Sequence, residues 1–202
     1  MSRLRVVLTS DTSGSMSGQK LKDSIKAQGD FIKQIPAGSE VGLVSFGGRA
    51  KVVQNLSKNT NKVKRSLRNS KASGGTPLYD GLKRSLDVIT GKTVSWMIHS
   101  LFKPQDTKKT NPPPIGGNRA IVLSTDGHAN GGKSTKQIVS LGKRIKDKNI
   151  KIITVAIGGS ADKGLLKKLA STKDDFHVAK FSGDLPDLYK KVAHGLVRAK
   201  DE

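Results

Sequence analysis

Residues 5–15, Arg-Val-Val-Leu-Thr-Ser-Asp-Thr-Ser-Gly-Ser, join a short apolar run to a polar loop. The apolar run at 6–8 is rich in β-branched residues and predicts a buried strand. Asp11, Ser13 and Ser15 then alternate with other residues, and on an extended loop alternating side chains point the same way. Three oxygen ligands can therefore converge on one point, which suits a hard cation such as Mg²⁺.

Two later segments carry further oxygen-bearing side chains. Residues 74–77, Gly-Gly-Thr-Pro, place the Thr76 hydroxyl between a flexible glycine pair and a proline suited to the first turn of a helix. Residues 121–127, Ile-Val-Leu-Ser-Thr-Asp-Gly, form a second buried-strand pattern that ends in Asp126. Ligands bind at the carboxyl ends of strands in open α/β sheets, so the three segments predict one shared site.

Together these segments resemble the metal-ion-dependent adhesion site (MIDAS) of von Willebrand factor A (VWA) domains. All three pieces occur in the family's order, and the resemblance covers nearly the whole chain. It implies a divalent cation, usually Mg²⁺ with Mn²⁺ or Ca²⁺ as alternatives, and a coordination position that an acidic side chain of a partner protein fills. The metal ligands that it implies are Asp11, Ser13, Ser15, Thr76 and Asp126.

The resemblance also gives these residues roles. Ser13 and Ser15 would bind the metal directly, Asp11 and Asp126 directly or through water, and Thr76 directly in one state and through water in another. The alternative is that Asp11 and the serines only cap the following helix, since such residues are favoured at helix starts.

Three residues next to the expected ligands are candidates for contacting a partner near the metal. They are Gly75, Gly127 and His128, the last of which follows Asp126 by two residues. The alternative for His128 is an ordinary exposed loop histidine.

Apolar periodicity along the rest of the chain predicts alternating strands and helices. Further strands are expected at 41–46, 50–54, 120–124, 150–157 and 176–181, and helices at 18–35, 59–68, from 77, 134–148, 161–170 and 185–198. This pattern predicts an α/β fold: a doubly wound, Rossmann-like and mostly parallel sheet with one antiparallel edge strand and helices on both faces. We expect a single VWA-type domain over 1–202 with an insertion at 91–118.

The chain is strongly basic. Its 37 Lys+Arg against 16 Asp+Glu give a formal net charge of +21. Such a field favours anionic partners, and a scaffold that binds nucleic acid or another polyanion through its basic faces is an alternative function. The basic residues are spread over many helices, and aromatic residues make up only 4%, so lysines that merely cover solvent-exposed faces are the other interpretation.

The function predicted from the sequence is a metal-dependent binding module, not an enzyme, that docks an Asp or Glu of a partner protein. A metal-dependent phosphohydrolase ranks below it, because the dehalogenase-like enzymes need a second acid two residues after the first and Ser13 stands there. No apolar segment approaches the ~20 residues of a membrane span. With no signal-peptide pattern and no cysteine, a cytoplasmic location is expected.

Overall fold

Strands and helices alternate along the chain. The computed structural model describes residues 3–92 and 118–198. The strands are β1 Leu4–Asp11, β2 Glu40–Gly47, β3 Arg49–Ser57, β4 Asn118–Thr125, β5 Ile150–Ile157 and β6 Phe176–Ala179. The α-helices are α1 Gln19–Gln34, α2 Thr60–Arg68, α3 Leu78–Ile89, α4 Thr135–Lys146, α5 Lys163–Leu169 and α6 Leu185–Arg198.

The six strands form one sheet in the order β3-β2-β1-β4-β5-β6. Every neighbouring pair is parallel except β2 and β3, which form the antiparallel hairpin at one edge. This confirms the predicted α/β sheet with one antiparallel edge strand. Strand β3 is longer than the predicted 50–54 and contains a register shift against β2, whereas β6 ends before the predicted 181.

Both faces of the sheet are buried, which explains why β1 is an unbroken apolar run rather than an alternating one. Val6 and Leu8 belong to the core beneath α1, α2 and α6. Val7, on the opposite face, belongs to the core beneath α3, α4 and α5. All three side chains are fully buried, and each such burial contributes about 1.5–3 kcal/mol.

The topology brings two of the polar segments to the same place. After β1 the chain continues to β2 on one side, whereas β4 pairs with β1 on the other. This reversal of strand order opens a crevice at the carboxyl ends of β1 and β4, where ligands bind in such folds. Asp11 ends β1 and Asp126 directly follows β4.

The predicted insertion at 91–118 lies almost entirely outside the described residues. It therefore stays a prediction, as does the single-domain organisation. Across 3–92 and 118–198, no helix has both the length and the apolar character that crossing a membrane requires.

Candidate metal centre

Backbone hydrogen bonds join the loops at the carboxyl edge of the sheet. The Gly14 amide donates to the Gly74 carbonyl at 2.8 Å, and the Gly48 amide donates to the Gly75 carbonyl at 2.9 Å. Gly74 has a φ of 67°, and a Cβ there would lie 2.5 Å from Gly48 Cα. Only glycine satisfies both conditions, so the predicted glycine pair brings the Thr76 loop close to the first loop.

The residue between Asp11 and Ser13 anchors the first loop from both sides. The Thr12 amide donates to the Phe46 carbonyl at 2.9 Å, and the Thr12 carbonyl accepts from the Ser73 amide at 2.8 Å. A Cβ on Gly47 would lie 2.2 Å from the Thr12 carbonyl oxygen. The end of β2 therefore has to be glycine for this loop to pack against it.

The side-chain oxygens of the first and third segments form a continuous chain. Asp11 Oδ1 accepts from the Ser13 amide at 2.7 Å, and Ser13 Oγ lies 3.1 Å from Ser15 Oγ. Ser15 Oγ donates to Asp126 Oδ1 at 2.6 Å. The Thr125 hydroxyl donates to the other Asp11 oxygen. Four of the five predicted ligand residues are thus linked within hydrogen-bonding distance.

Thr76, the fifth predicted residue, reaches the same cluster from the second loop. A Cβ placed on Gly127 would lie 3.5 Å from Thr76 Oγ1 and 3.9 Å from Ser15 Oγ. The Thr76 amide donates to Asn130 Oδ1 at 2.6 Å, and the Asn130 amide donates to the Thr76 carbonyl at 3.1 Å. Asn130 thereby ties the Thr76 loop to the loop after β4.

The cluster concentrates negative charge away from water. Asp11 and Asp126 are both 0% exposed. Burial raises the pKa of Asp11 and the neighbouring Asp126 carboxylate adds to this rise, while hydrogen bonds from Ser13 and Thr125 oppose it. Ser15 is exposed and leaves the cluster accessible. Two buried carboxylates side by side are stabilised by a bound cation.

The chain itself supplies one cation. Lys20, in the first turn of α1, donates from Nζ to Asp126 Oδ2 at 2.6 Å and to the Ser15 carbonyl at 3.3 Å. Its side chain is 40% exposed, whereas that of Asp126 is 0% exposed. The ammonium group therefore neutralises part of the charge of the cluster from its solvent side.

The donor set matches the chemistry of a hard divalent cation, which prefers oxygen ligands. It consists of two carboxylates and three hydroxyl groups, at Asp11, Ser13, Ser15, Thr76 and Asp126. Within 3–92 and 118–198, no group of three or more His, Cys, Asp or Glu is placed to hold a metal. Soft thiolate or multi-histidine chemistry therefore has no basis in this part of the chain.

The three predicted partner-contacting residues surround the cluster in different ways. A Cβ on Gly75 would lie 2.7 Å from Asn130 Oδ1, so this position is tightly packed. A Cβ on Gly127 would make only ordinary contacts with Thr76 Oγ1 and Ser15 Oγ. His128 is 72% exposed, and its Nδ1 lies 3.6 Å from Asp162 Oδ2. Its described side-chain contact is therefore with Asp162 and not with a predicted ligand.

Sequence reasoning missed three residues of this site. Thr125 stands beside Asp126 in the quoted motif, and its position at the end of β4 was the available signal. Asn130 and Lys20 gave no comparable signal, because an Asn in a glycine-rich loop and a Lys in a first helical turn are ordinary. Their roles depend on the packing of segments far apart in sequence.

The comparison with protein families identifies the class to which this fold and site belong. The family model for the von Willebrand factor type A domain matches residues 6–191. This chain belongs to the VWA family. VWA domains bind protein partners and are mostly non-enzymatic, and they bind a divalent metal at the MIDAS. A comparison with curated protein sequences found no match.

Solved structures with the same fold come from varied proteins. Proximal thread matrix protein 1 from the mussel byssus, described with a zinc-occupied MIDAS motif, has a TM-score of 0.72 at 18% identity, and the match covers 96% of this chain and 47% of that one. The pilus adhesin SpaC from Lactobacillus rhamnosus GG, in its open conformation, has a TM-score of 0.74 at 16% identity, and the match covers 98% of this chain and 30% of the adhesin. The conserved hypothetical protein BatB from Bacteroides thetaiotaomicron has a TM-score of 0.73 at 15% identity, with coverage of 100% of both chains.

These likenesses show the fold alone. The chain spans about half the length of the byssus protein, 47%, and less of the adhesin. Because pilus and byssus proteins are among the similar structures, the cytoplasmic location stays a prediction.

Proposed function

We propose that this chain is a metal-dependent protein-binding module that docks an Asp or Glu of a partner protein on a divalent cation. The observation that carries the proposal is the hydrogen-bonded chain of Ser13 Oγ, Ser15 Oγ and Asp126 Oδ1, which joins two loops. The Thr76 hydroxyl of a third loop lies beside it. A helix cap alone does not require Asp126, 111 residues further along the chain, to contact Ser15.

The proposed ligands are Asp11, Ser13, Ser15, Thr76 and Asp126, and Mg²⁺ is the expected ion, with Mn²⁺ or Ca²⁺ as alternatives. When bound, the ion would supply a Lewis-acidic position for a carboxylate of the partner. Only two of the five residues are anionic, so the ion would keep much of its charge for that carboxylate.

Other residues of the chain would orient these ligands. The Thr125 hydroxyl and the Ser13 amide hold the two oxygens of Asp11, which turns the carboxylate toward the cluster. Asn130 holds the amide of Thr76. Gly75, Gly127 and His128 would form the rim that meets the partner, with His128 placed to accept or donate a hydrogen bond.

A binding role is favoured over phosphohydrolysis. The position two residues after Asp11 is Ser13, whose hydroxyl lies in the oxygen cluster. A second carboxylate, which the dehalogenase-like mechanism needs as its acid, does not stand there. We therefore infer a module without enzymatic activity.

Thermal unfolding with and without metal tests the site itself. Mg²⁺ or Mn²⁺ should raise the melting temperature of the EDTA-treated protein, because a ligand selective for the native state stabilises it. The double variant Ser13→Ala/Ser15→Ala should show no such rise. Lys136→Ala, an exposed change on α4, is the matched control and should behave as the wild type. A wild type that neither melts higher nor binds metal would refute the proposal.

Partner docking needs a separate test. Affinity capture with the wild type and with Asp11→Ala, each in Mg²⁺ and in EDTA, should give proteins retained only by the wild type in Mg²⁺. For a captured partner, replacing one Asp or Glu by its amide should abolish binding. Capture that survives both EDTA and Asp11→Ala would contradict the proposed mode of docking.

A further inference from the structure

A polar cavity lies beside the candidate metal centre, between β3 and the carboxyl end of α2. Its volume is about 310 Å³. Three cationic side chains line it, those of Arg49, Lys51 and Lys71. Five hydroxyl side chains, among them Ser45 and Ser70, and one Asn complete its polar lining, and no carboxylate of the described residues lines it.

The register of the hairpin explains why the cations gather here. Ser45 pairs with Lys51, and Gly47 pairs with Arg49. Directly opposed residues of an antiparallel pair share a face, and so do alternate residues of one strand. Leu43, two residues before Ser45, is buried in the core beneath α2. Arg49 and Lys51 therefore extend over the face that α2 covers only in part.

The cationic and hydroxyl side chains of this cavity have no side-chain partner among the described residues. Arg49, Lys51 and Lys71 appear in none of its salt bridges. The hydroxyl groups that line the cavity likewise make no side-chain hydrogen bond to a described residue, as for Ser45 and Ser70. The cavity therefore offers three positive charges and several donors that no acceptor within 3–92 and 118–198 occupies.

Another basic groove in the described part of the chain differs in these respects. It lies between α1 and α2 and has a volume of about 290 Å³. Asp30 lines it, and this carboxylate already pairs with Lys33 at 2.8 Å. No hydroxyl side chain lines that groove. Positive charge alone therefore does not distinguish the first cavity, whereas its combination of cations with hydroxyl donors does.

We propose that the cavity lined by Arg49, Lys51 and Lys71 binds a phosphoryl group. A phosphoryl group has three acceptor oxygens, which suit a guanidinium fork, two ammonium groups and neighbouring hydroxyl donors. No aromatic ring lines the cavity among the described residues, so a nucleobase would have nothing to stack on. The ligand is therefore a phosphate monoester or free phosphate rather than a nucleotide.

The position of the cavity allows two sources of this group. Thr12 lines the cavity and stands between the candidate ligands Asp11 and Ser13. A phosphorylated side chain of a partner docked at the metal centre can reach it, and so can a small phosphate from solution. The chemistry is the same in both cases, and the cavity needs no metal to provide it.

A titration of the ¹⁵N-labelled protein with inorganic phosphate in EDTA tests the proposal without the metal site. Sodium chloride at matched ionic strength is the blank. Saturable amide shifts should centre on residues 45–53 and 66–73. Shifts centred instead on the groove between α1 and α2, or spread evenly over the basic surface, would overturn the proposal.

Charge-matched variants separate a built site from the general field of the protein. Lys51→Gln/Lys71→Gln removes two cations of the cavity and should weaken phosphate binding at least tenfold. Lys26→Gln/Lys64→Gln removes two cations of the other groove, and phosphate binding should stay within about twofold of the wild type. Lys26, Lys51 and Lys71 are exposed and Lys64 is half-buried, and circular dichroism checks that both variants fold. Equal weakening by the two variants would overturn the proposal.

Three further ligands identify the source. A tripeptide with a central phosphoserine that binds more tightly than inorganic phosphate would assign the site to a phosphorylated partner, and equal binding would assign it to free phosphate. A glutamate tripeptide should bind more weakly than either. A short single-stranded oligonucleotide that outcompetes all of these and shifts all the basic helices would overturn the proposal in favour of diffuse nucleic-acid binding.

Discussion

Replacing Lys20 by Gln should tighten Mg²⁺ binding while destabilising the metal-free protein. The Lys20 ammonium lies 2.6 Å from Asp126 Oδ2, an oxygen that the proposed metal also needs. A bound divalent cation would therefore displace or repel this side chain. In the variant, metal binding no longer has to displace the ammonium group. Without metal, however, the buried carboxylates lose their only described lysine partner.

The exposure of the two partners sets the magnitude. Exposed ion pairs contribute about 0.2–1 kcal/mol, and breaking a fully buried pair costs about 3–5 kcal/mol. This pair lies between these limits, since the Lys20 side chain is 40% exposed and that of Asp126 is 0% exposed. An intermediate value of about 1.5 kcal/mol corresponds to a roughly tenfold lower Kd for Mg²⁺. The metal-free variant should lose a similar amount of unfolding free energy.

Isothermal titration calorimetry of EDTA-stripped protein with Mg²⁺ or Mn²⁺ measures the first effect, and urea unfolding in EDTA measures the second. Lys22→Gln is the matched control, since it removes the same charge from the same helix at an exposed position and should change the Kd by less than about threefold. An unchanged or weaker affinity in Lys20→Gln would refute the competition between Lys20 and the metal. Equal tightening by Lys22→Gln would assign the effect to net charge alone.

Two other changes test the surroundings of the site, and a third tests a half-buried histidine on β6. Asn130→Ala removes the acceptor of the Thr76 amide. It should lower the free energy of urea unfolding by about 1 kcal/mol and weaken metal binding several-fold. Unchanged values would show that other contacts hold Thr76. Gly47→Ala would place a Cβ 2.2 Å from the Thr12 carbonyl oxygen and should cost about 1–3 kcal/mol in the same assay, whereas a neutral change would mean that the hairpin can shift. Burial lowers the pKa of His177 below the ordinary 6.5, and Asp175 partly opposes this shift. The unfolded chain therefore binds the His177 proton more tightly than the folded chain does. The free energy of unfolding should consequently fall as the pH drops below 6.5. The variant His177→Gln should show a smaller fall between about pH 7 and pH 5 in urea unfolding, and an identical fall would contradict this assignment.

The fold could be predicted because its signals are local. The run at 6–8, the strand pattern before Asp126 and the amphipathic helices each report their own environment, and the alternation of strands and helices leaves few topologies for a parallel sheet. The order of strands around β1 then follows from the single hairpin. Strand β3 is longer than the sequence predicts because an edge strand with a register shift is only half buried and lacks a clean apolar pattern.

The candidate site could be predicted only as a set of residue types. The sequence motifs indicate which oxygens belong together, but not which of them are held by neighbours. Lys20 reaches Asp126 across 106 positions of the chain, and Asn130 holds Thr76 across 54. Such contacts depend on how the loops pack, and a single sequence carries no signal for them. The contact between His128 and Asp162 could not be predicted for the same reason.

The proposed function requires oxygens from three loops to bind one divalent cation. Anomalous scattering from crystals grown with Mn²⁺ locates that cation. One strong peak is expected within about 2.0–2.6 Å of Ser13 Oγ and Ser15 Oγ, adjacent to Asp11, Thr76 and Asp126. A strong Mn²⁺ peak elsewhere in the described chain, with none at this cluster, would contradict it.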